Sequence, residues 1–259
     1  MLNPRFDAAL LSRIEDAGLN ASAPPQQRWL DGWLVRFSPG KAKRARCVNA
    51  VASGRLPLDR KLALCAEVYE QAQLPLIVRI TPMSLPADLD EALATNGLRR
   101  FNDTHVMVAA SFPEPQAVHM PDQVSLHAIG LEQFAQRIGA LRGSPLAHRQ
   151  AHAQRLVNAP VPFSAFELRV AGELVCGGQL AIESDLVGLY DVFTTPPARG
   201  RGHARLLCQH LLAQAHVRGA RHAYLQVEAD NEAARSIYRS LGFDDAYAYH
   251  YRTTHPADT

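Results

Sequence analysis

The sequence predicts an α/β fold with a sheet flanked by helices, on three observations. Stretches that alternate apolar and polar residues are interleaved with stretches of helical period. Glycine or proline marks most changes of period. No apolar run approaches the roughly 20 residues that span a bilayer, so no membrane partner is expected. At 259 residues the chain is long enough for two domains. Its 47% hydrophobic and 20% charged residues suit an ordinary globular protein. The opening Met1-Leu2-Asn3-Pro4-Arg5-Phe6-Asp7 lacks a basic-then-apolar secretory pattern. Cys47, Cys65, Cys176 and Cys208 are scattered without a Cys-x-x-Cys, which reads as reduced thiols in a cytoplasmic protein.

Residues 111–122 carry three prolines and no amphipathic period, and are the expected linker between domains 1–110 and 123–259. In the first segment, helical runs are expected at 7–17, 58–72 and 86–95. Strands are expected at 29–37, 75–81 and 105–109, with a turn at Pro39-Gly40 and a helix cap at Gly97. In the second segment, 124–128 reads as a strand, and 131–141 and 146–157 as helices. Strands follow at 163–170 and 174–182, joined at Ala171-Gly172, and at 187–194. Residues 203–218 form a strong helix, with Ala204, Leu207, Leu211 and Ala215 on one stripe and Gly219 as its stop. A strand at 223–228, a helix at 231–241 ended by Gly242, and a Tyr-rich strand at 243–252 complete the order.

Two motifs carry the chemistry. Arg199-Gly200-Arg201-Gly202-His203-Ala204 sits between a strand and a strong helix. A helix start offers unpaired N–H groups and the positive end of the dipole, and glycines let a bulky anion approach. This reads as a pyrophosphate cradle; the plainer alternative is a basic turn relieved by glycine. It is not a Walker A loop, which needs Gly-Lys-Ser/Thr, nor a dinucleotide fingerprint, which needs a third glycine. The second motif is Asn231-x-x-Ala234-x-x-x-Tyr238-x-x-x-Gly242-Phe243. Seven residues are about two helical turns, so Asn231 and Tyr238 share a face. Taken singly, Asn231 could be a helix N-cap and Tyr238 a core residue.

Together, residues 163–252 resemble the GNAT superfamily of acetyl-CoA-dependent N-acetyltransferases. The first motif matches its Arg/Gln-x-x-Gly-x-Gly/Ala, and the second its next cofactor and catalytic segment. The resemblance implies a mixed central sheet flanked by helices. Backbone N–H groups of Gly200, Arg201, Gly202, His203, Ala204 and Arg205, beside Arg199, would hold the CoA pyrophosphate. Val192, Phe193 and Thr194 would lie along the pantetheine arm like an added strand, and Asn231 would bond that arm. Tyr238 would protonate the departing CoA thiolate, with direct transfer of acetyl to an amine in a ternary complex. The general base stays open. Some relatives carry a Glu where this chain has Gln226, which cannot serve; Glu228 and Asp191 are the nearby carboxylates, and either could instead pair with an Arg or hold a substrate ammonium.

The first segment has neither motif, yet its strand–helix order resembles a degenerate copy of the same fold, giving two similar halves. The acceptor would then sit between the halves, near Trp33, Arg36 and Asn49 on one side and Tyr238 on the other. The expected acceptor is a small-molecule or peptide amine, and the expected assembly a monomer with an internal pseudo-dimer, or a homodimer. No metal is expected: His148 and His152 stand four apart on one helix but lack a zincin glutamate. The basic run 41–46 reads as a solvated loop or as an anion-binding lip facing the second half. No nucleic-acid partner is expected at a net charge of +2. A longer acyl-CoA substrate, or a CoA-binding module without turnover, are the competing readings.

Overall fold

The computed structural model describes residues 1–111 and 118–255. Half of the expected linker, 112–117, lies outside the described residues. In chain order the elements are α1 (Ala8–Ala21), β1 (Gln27–Leu30), β2 (Trp33–Arg36), β3 (Val48–Ala50), α2 (Leu58–Gln71), β4 (Val78–Ile80), α3 (Leu89–Thr95) and β5 (Arg99–Ala109). There follow β6 (Val124–Ile129), α4 (Leu131–Leu141), α5 (Leu146–Val157), β7 (Phe163–Val170), β8 (Glu173–Glu183), β9 (Leu186–Thr194), α6 (His203–Val217), β10 (His222–Glu228), α7 (Glu232–Ser240) and β11 (Asp244–Thr253).

Local chemistry explains the boundaries. Asp7 caps α1, its carboxylate accepting from the Leu10 N–H at 3.2 Å. The stripe Leu207, Leu211 and Ala215 of α6 is buried against β8 and β10 residues such as Leu180 and Leu225. One expected strand is in fact a hairpin. Residues 29–37 divide at Asp31-Gly32, both at positive φ, so β1 folds back on β2 with Trp29 opposite Leu34. Asp-Gly is the sequence signal for that turn. The short strand β3 was not anticipated, because three residues do not establish a period.

All eleven strands form one sheet, in the order β1-β2-β3-β4-β11-β5-β10-β9-β8-β7-β6. Pairing is antiparallel except in two places, β3 with β4 and β9 with β10. Each parallel pair brackets a helix, α2 in the first case and α6 in the second. The segments before and after residue 112 thus repeat one order: antiparallel strands, a helix, a parallel strand, a shorter helix, a last strand. Their last strands are exchanged. β5 lies between β10 and β11, and β11 lies between β4 and β5. The two halves therefore do not form separate sheets. Val106, Met107 and Val108 of β5 are essentially unexposed and belong to cores on both faces of the second half. α1 also crosses over, its Leu11 and Ile14 packing in a cluster with Tyr190, Tyr224 and Tyr247.

Candidate active site

The site begins where two parallel strands part. β9 and β10 pair from His222 opposite Leu186 to Leu225 opposite Leu189, and then stop. Beyond that point a cavity of about 240 Å³ opens, lined by Leu189, Val192, Leu225, Val227, Asn231 and Tyr238 among others. A β-bulge shapes its edge. Gly177 faces Phe193 and Gln179 faces Tyr190, so Asp191 and Val192 together oppose Gly178, with Asp191 at φ +50°. The bulge sends Val192 toward the α6 side, in the core with Leu207, and Phe193 toward α4 beside Phe134.

The glycine motif lies at the end of the gap. Gly200 and Gly202 have φ of +74° and +79°, a region that favours glycine. An added Cβ at either would meet nothing within 4 Å, so the space above the loop is open. Gly202 starts α6 without a side-chain cap, and the first helix bond runs from the Leu206 N–H to the Gly202 carbonyl. The N–H groups of the first turn face outward at the positive end of the dipole. Arg199, Arg201 and Arg205 are exposed around them, and His203 and Ala204 are partly exposed. An open, uncapped, cationic helix start beside a strand gap fits a pyrophosphate joined to an extended arm.

Tyr238 and Asn231 are on α7 and its cap. The Asn231 side-chain oxygen accepts from the Ala234 N–H at 3.2 Å, so it is a helix cap as well as a lining residue of the gap. Tyr238 is 9% exposed and packs on Phe243 with ring centroids 6.1 Å apart. Burial raises its phenol well above the ordinary value, which keeps the proton on the oxygen. The tyrosine is both a core residue and a wall of the gap.

The two carboxylates differ. Glu228 is exposed at the end of β10, accepts from the Asn102 amide at 3.3 Å, and borders both the gap and a larger cleft. Asp191 is tied down. Its Oδ1 accepts from Arg142 at 3.0 Å, and His152 Nε2 lies 3.0 Å from its Oδ2. Burial alone would raise its pKa; the His152 ring and the Arg142 and Arg155 guanidiniums outweigh this and hold it well below the carboxylate range. A carboxylate so held is a weak proton acceptor. Because the folded value is lowered, its stabilising effect is complete above about pH 5 and is lost as pH falls through the folded value. Asp191→Asn should therefore cost about 1–3 kcal/mol at neutral pH, less than a fully buried pair. The gap between the melting curves of wild type and variant should stay constant from pH 7 to about pH 5 and narrow as pH falls further; a gap that does not narrow would show that the charge is not the cause.

Several residues of the site lie outside the two motifs. Arg44, from the basic run, reaches across to donate to Gln226 Oε1 at 2.8 Å, and Tyr249 donates to the same oxygen at 2.8 Å. Gln226 is held there as an acceptor of two hydrogen bonds. Arg44 also lies over the Tyr190 ring at 5.9 Å, and borders the gap and the larger cleft alike. The run 41–46 is thus not a purely solvated loop. The expected acceptor residues of the first half are elsewhere. Trp33 is unexposed in the first half's own core, under the Lys61 ammonium at 4.3 Å. Arg36, 2% exposed, donates to Gln27 Oε1 at 3.0 Å, Ser22 Oγ at 3.0 Å and the Leu19 carbonyl at 2.9 Å. Asn49 borders a separate cavity of about 160 Å³ with Glu15 and Arg79. None of these three borders the gap that holds Tyr238.

The first half's counterpart of the glycine cradle is closed. The loop before α2 points the N–H groups of Arg55 and Leu56 at the Asp31 carboxylate, with three contacts of 2.9–3.0 Å. Lys61 Nζ stands 3.4 Å from the same carboxylate. Gly54, at φ +74°, makes room: a Cβ there would come within 2.3 Å of Asp31 Oδ2. A side-chain anion thus occupies the loop before α2, where the corresponding loop before α6 is open.

A splayed parallel pair with a bulge, an open helix start and a buried tyrosine thus come together in the second half. The chain matches the family described as "Probable histone acetyltransferase Rv0428c C-terminal" over residues 9–252, and belongs to that family of GNAT N-acetyltransferases. It is 25% identical over 235 residues to the uncharacterized N-acetyltransferase YobR of Bacillus subtilis, covering 87% of this chain and 91% of that one. Its fold is similar to a GCN5-related N-acetyltransferase from Kribbella flavida, with a TM-score of 0.68 and 17% identity over 95% of this chain and 97% of that one. It is also similar to a tandem GNAT protein from the clavulanic acid biosynthesis pathway, with a TM-score of 0.56 and 16% identity, covering 79% and 73% of the two chains. Among the described residues, no helix is long and apolar enough to cross a membrane, and no group of three or more His, Cys, Asp or Glu is placed to hold a metal ion.

Proposed function

We infer that the protein transfers acetyl from acetyl-CoA directly to a primary amine, with both bound at once in the second half. The observation that carries this reading is the open loop at Gly200–Gly202, which follows the end of β9 beyond the point where β9 stops pairing with β10. Acetyl-CoA supplies an activated acetyl thioester. The first-turn N–H groups of α6 and the Arg199 and Arg201 side chains hold its pyrophosphate. The freed edge of β9 at Val192, Phe193 and Thr194 pairs with the arm, and Asn231 adds a polar contact. A backbone N–H at the bulge would meet charge developing on a carbonyl oxygen. The amine nitrogen forms the new C–N bond as the C–S bond breaks. One proton leaves the nitrogen, directly or through water, toward Glu228, which is exposed where Asp191 is engaged by Arg142 and His152. One proton reaches the departing sulfur from Tyr238.

Gly202→Val tests the cradle. It forces a branched residue into a left-handed conformation and crowds the helix start. Acetyl-CoA affinity, by calorimetric titration, should fall at least about 10-fold, the effect of losing one charge-assisted contact. Unchanged affinity in a folded variant would move the cofactor off this loop. The closed first-half cradle gives a second expected outcome: wild type should bind one acetyl-CoA per chain. A stoichiometry of two would show that Asp31 does not block the other helix start.

A further inference from the structure

We propose that the acceptor is a small amine that also carries an anionic group, a carboxylate or a phosphate, seated in the cleft between the loop 38–45 and helices α4 and α5. This rests on the acetyltransferase reading and names its substrate class. The cleft has a volume of about 530 Å³, within the range of small-molecule sites. Lys41, Arg44, Arg142, Arg149 and Arg155 border it, against the carboxylates Asp191 and Glu228. Arg142 is engaged by Asp191, and Arg44 by Gln226. Among the described residues, Lys41 and Arg149 form no ion pair with a carboxylate, whereas Arg155 donates to the Ala21 carbonyl at 3.2 Å and acts on Asp191 through space. Arg149 is built in: its stem lies across Gly139 of α4, where a Cβ would come within 2.5 Å of it. Its Nε is buried without a partner.

A second, independent observation points to a ligand. Gln179, in the middle of β8, has no exposed surface, and neither its amide nitrogen nor its amide oxygen has a hydrogen-bond partner. Alternation along β8 places it on the face of Gly177, which packs against Phe134 and Ile138 of α4. It is one of the residues bordering the cleft. A buried amide with both ends unmet is rare in folded proteins, and it offers a ligand one donor and one acceptor. Cationic groups free of partners would take the anion, Gln179 a neighbouring polar group, and Glu228 faces the same cleft as the open carboxylate for the amine end. A lysine-rich tail would bring like charge into this cleft, which disfavours it.

The test uses the full chain saturated with CoA and four amines sharing one three-carbon frame: β-alanine, 3-aminopropyl phosphate, propylamine and 1,3-diaminopropane. Calorimetric titration should show the two anionic amines binding at least about 10-fold tighter than the other two, as expected of a charge-assisted contact. Comparison of the two shows which anion is preferred. The preference should shrink toward one in the Lys41→Gln/Arg149→Met double variant, and Gln179→Leu should weaken the anionic amines alone. Lys41 is exposed, so Lys41→Gln by itself keeps the test intact if a buried variant fails to fold. Propylamine or the diamine binding as tightly, no amine binding, or a preference that survives the double variant would each overturn the inference. Thiol release from acetyl-CoA is read separately, on the same protein preparations without added CoA. Absent turnover with anionic binding intact sinks the transferase reading and leaves the cleft assignment standing. Equal turnover of all four amines does the reverse.

Discussion

Replacing Tyr238 by Phe should lower kcat by about 10²–10⁴-fold, the range for losing a positioned general acid. The acetyl-CoA dissociation constant should change little. The ring keeps its packing on Phe243 and its place in the core with Leu207 and Val227, so the fold should survive. The buried phenol is protonated throughout the working pH range, as its raised pKa requires. Its proton is therefore always in place, and the acid limb of the rate profile should not move in the variant. Steady-state kinetics with separate thiol-release and product assays would decide the matter. A variant within a factor of about 3 of wild type, far short of the general-acid range, would assign Tyr238 to packing alone.

Cutting the chain within 112–117 should leave an intact, active particle, whereas either half expressed alone should fail to fold. The exchanged strands are the reason. Without β5, the second half lacks the strand between β10 and β11, and Val106, Met107 and Val108 no longer fill its cores. Three such side chains stabilise a fold by roughly 5–9 kcal/mol when fully buried. That is comparable to the whole stability of a domain, about 5–15 kcal/mol. Strand pairing and the contacts of α1 would be lost as well. Insertion of a protease site, followed by size-exclusion chromatography of the cut protein and circular dichroism of each half, tests both parts. A soluble, cooperatively melting second half would show that the exchange is dispensable.

The motifs at 199–204 and 231–243 could be read because each is a short-range device: a helix start and one helical face. Their chemistry depends on spacing within a single element, and spacing is written in the sequence. The cleft walls were harder. Arg44, Arg149 and Gln179 belong to three separate segments, and only non-local pairing brings them to one cavity. No period or motif marks a glutamine that is buried without partners. Trp33 and Arg36 show the converse. Their residue types suggest a site, but the β1–β2 hairpin turns them into the first half's interior, where Arg36 finds three acceptors. The Asp31-Gly32 turn was legible in principle, and alternation running through it hid it. Exchange of β5 and β11 was not, because either strand satisfies the same edge pattern whichever neighbour it joins.

Asp31 has a wider meaning. In an assembly of two identical subunits, a residue that shuts one helix start shuts both, because the symmetry operator copies it. Two fold units on one polypeptide escape that rule. Here one unit keeps a carboxylate of its own at the helix start while the other leaves the position open, and each contributes a strand to its neighbour's sheet. The closed unit still builds walls, and Arg44 is one of its residues that border the gap and the larger cleft. Such an arrangement lets the first-half part of the cleft wall vary in sequence without disturbing the open helix start at Gly200–Gly202 in the second half.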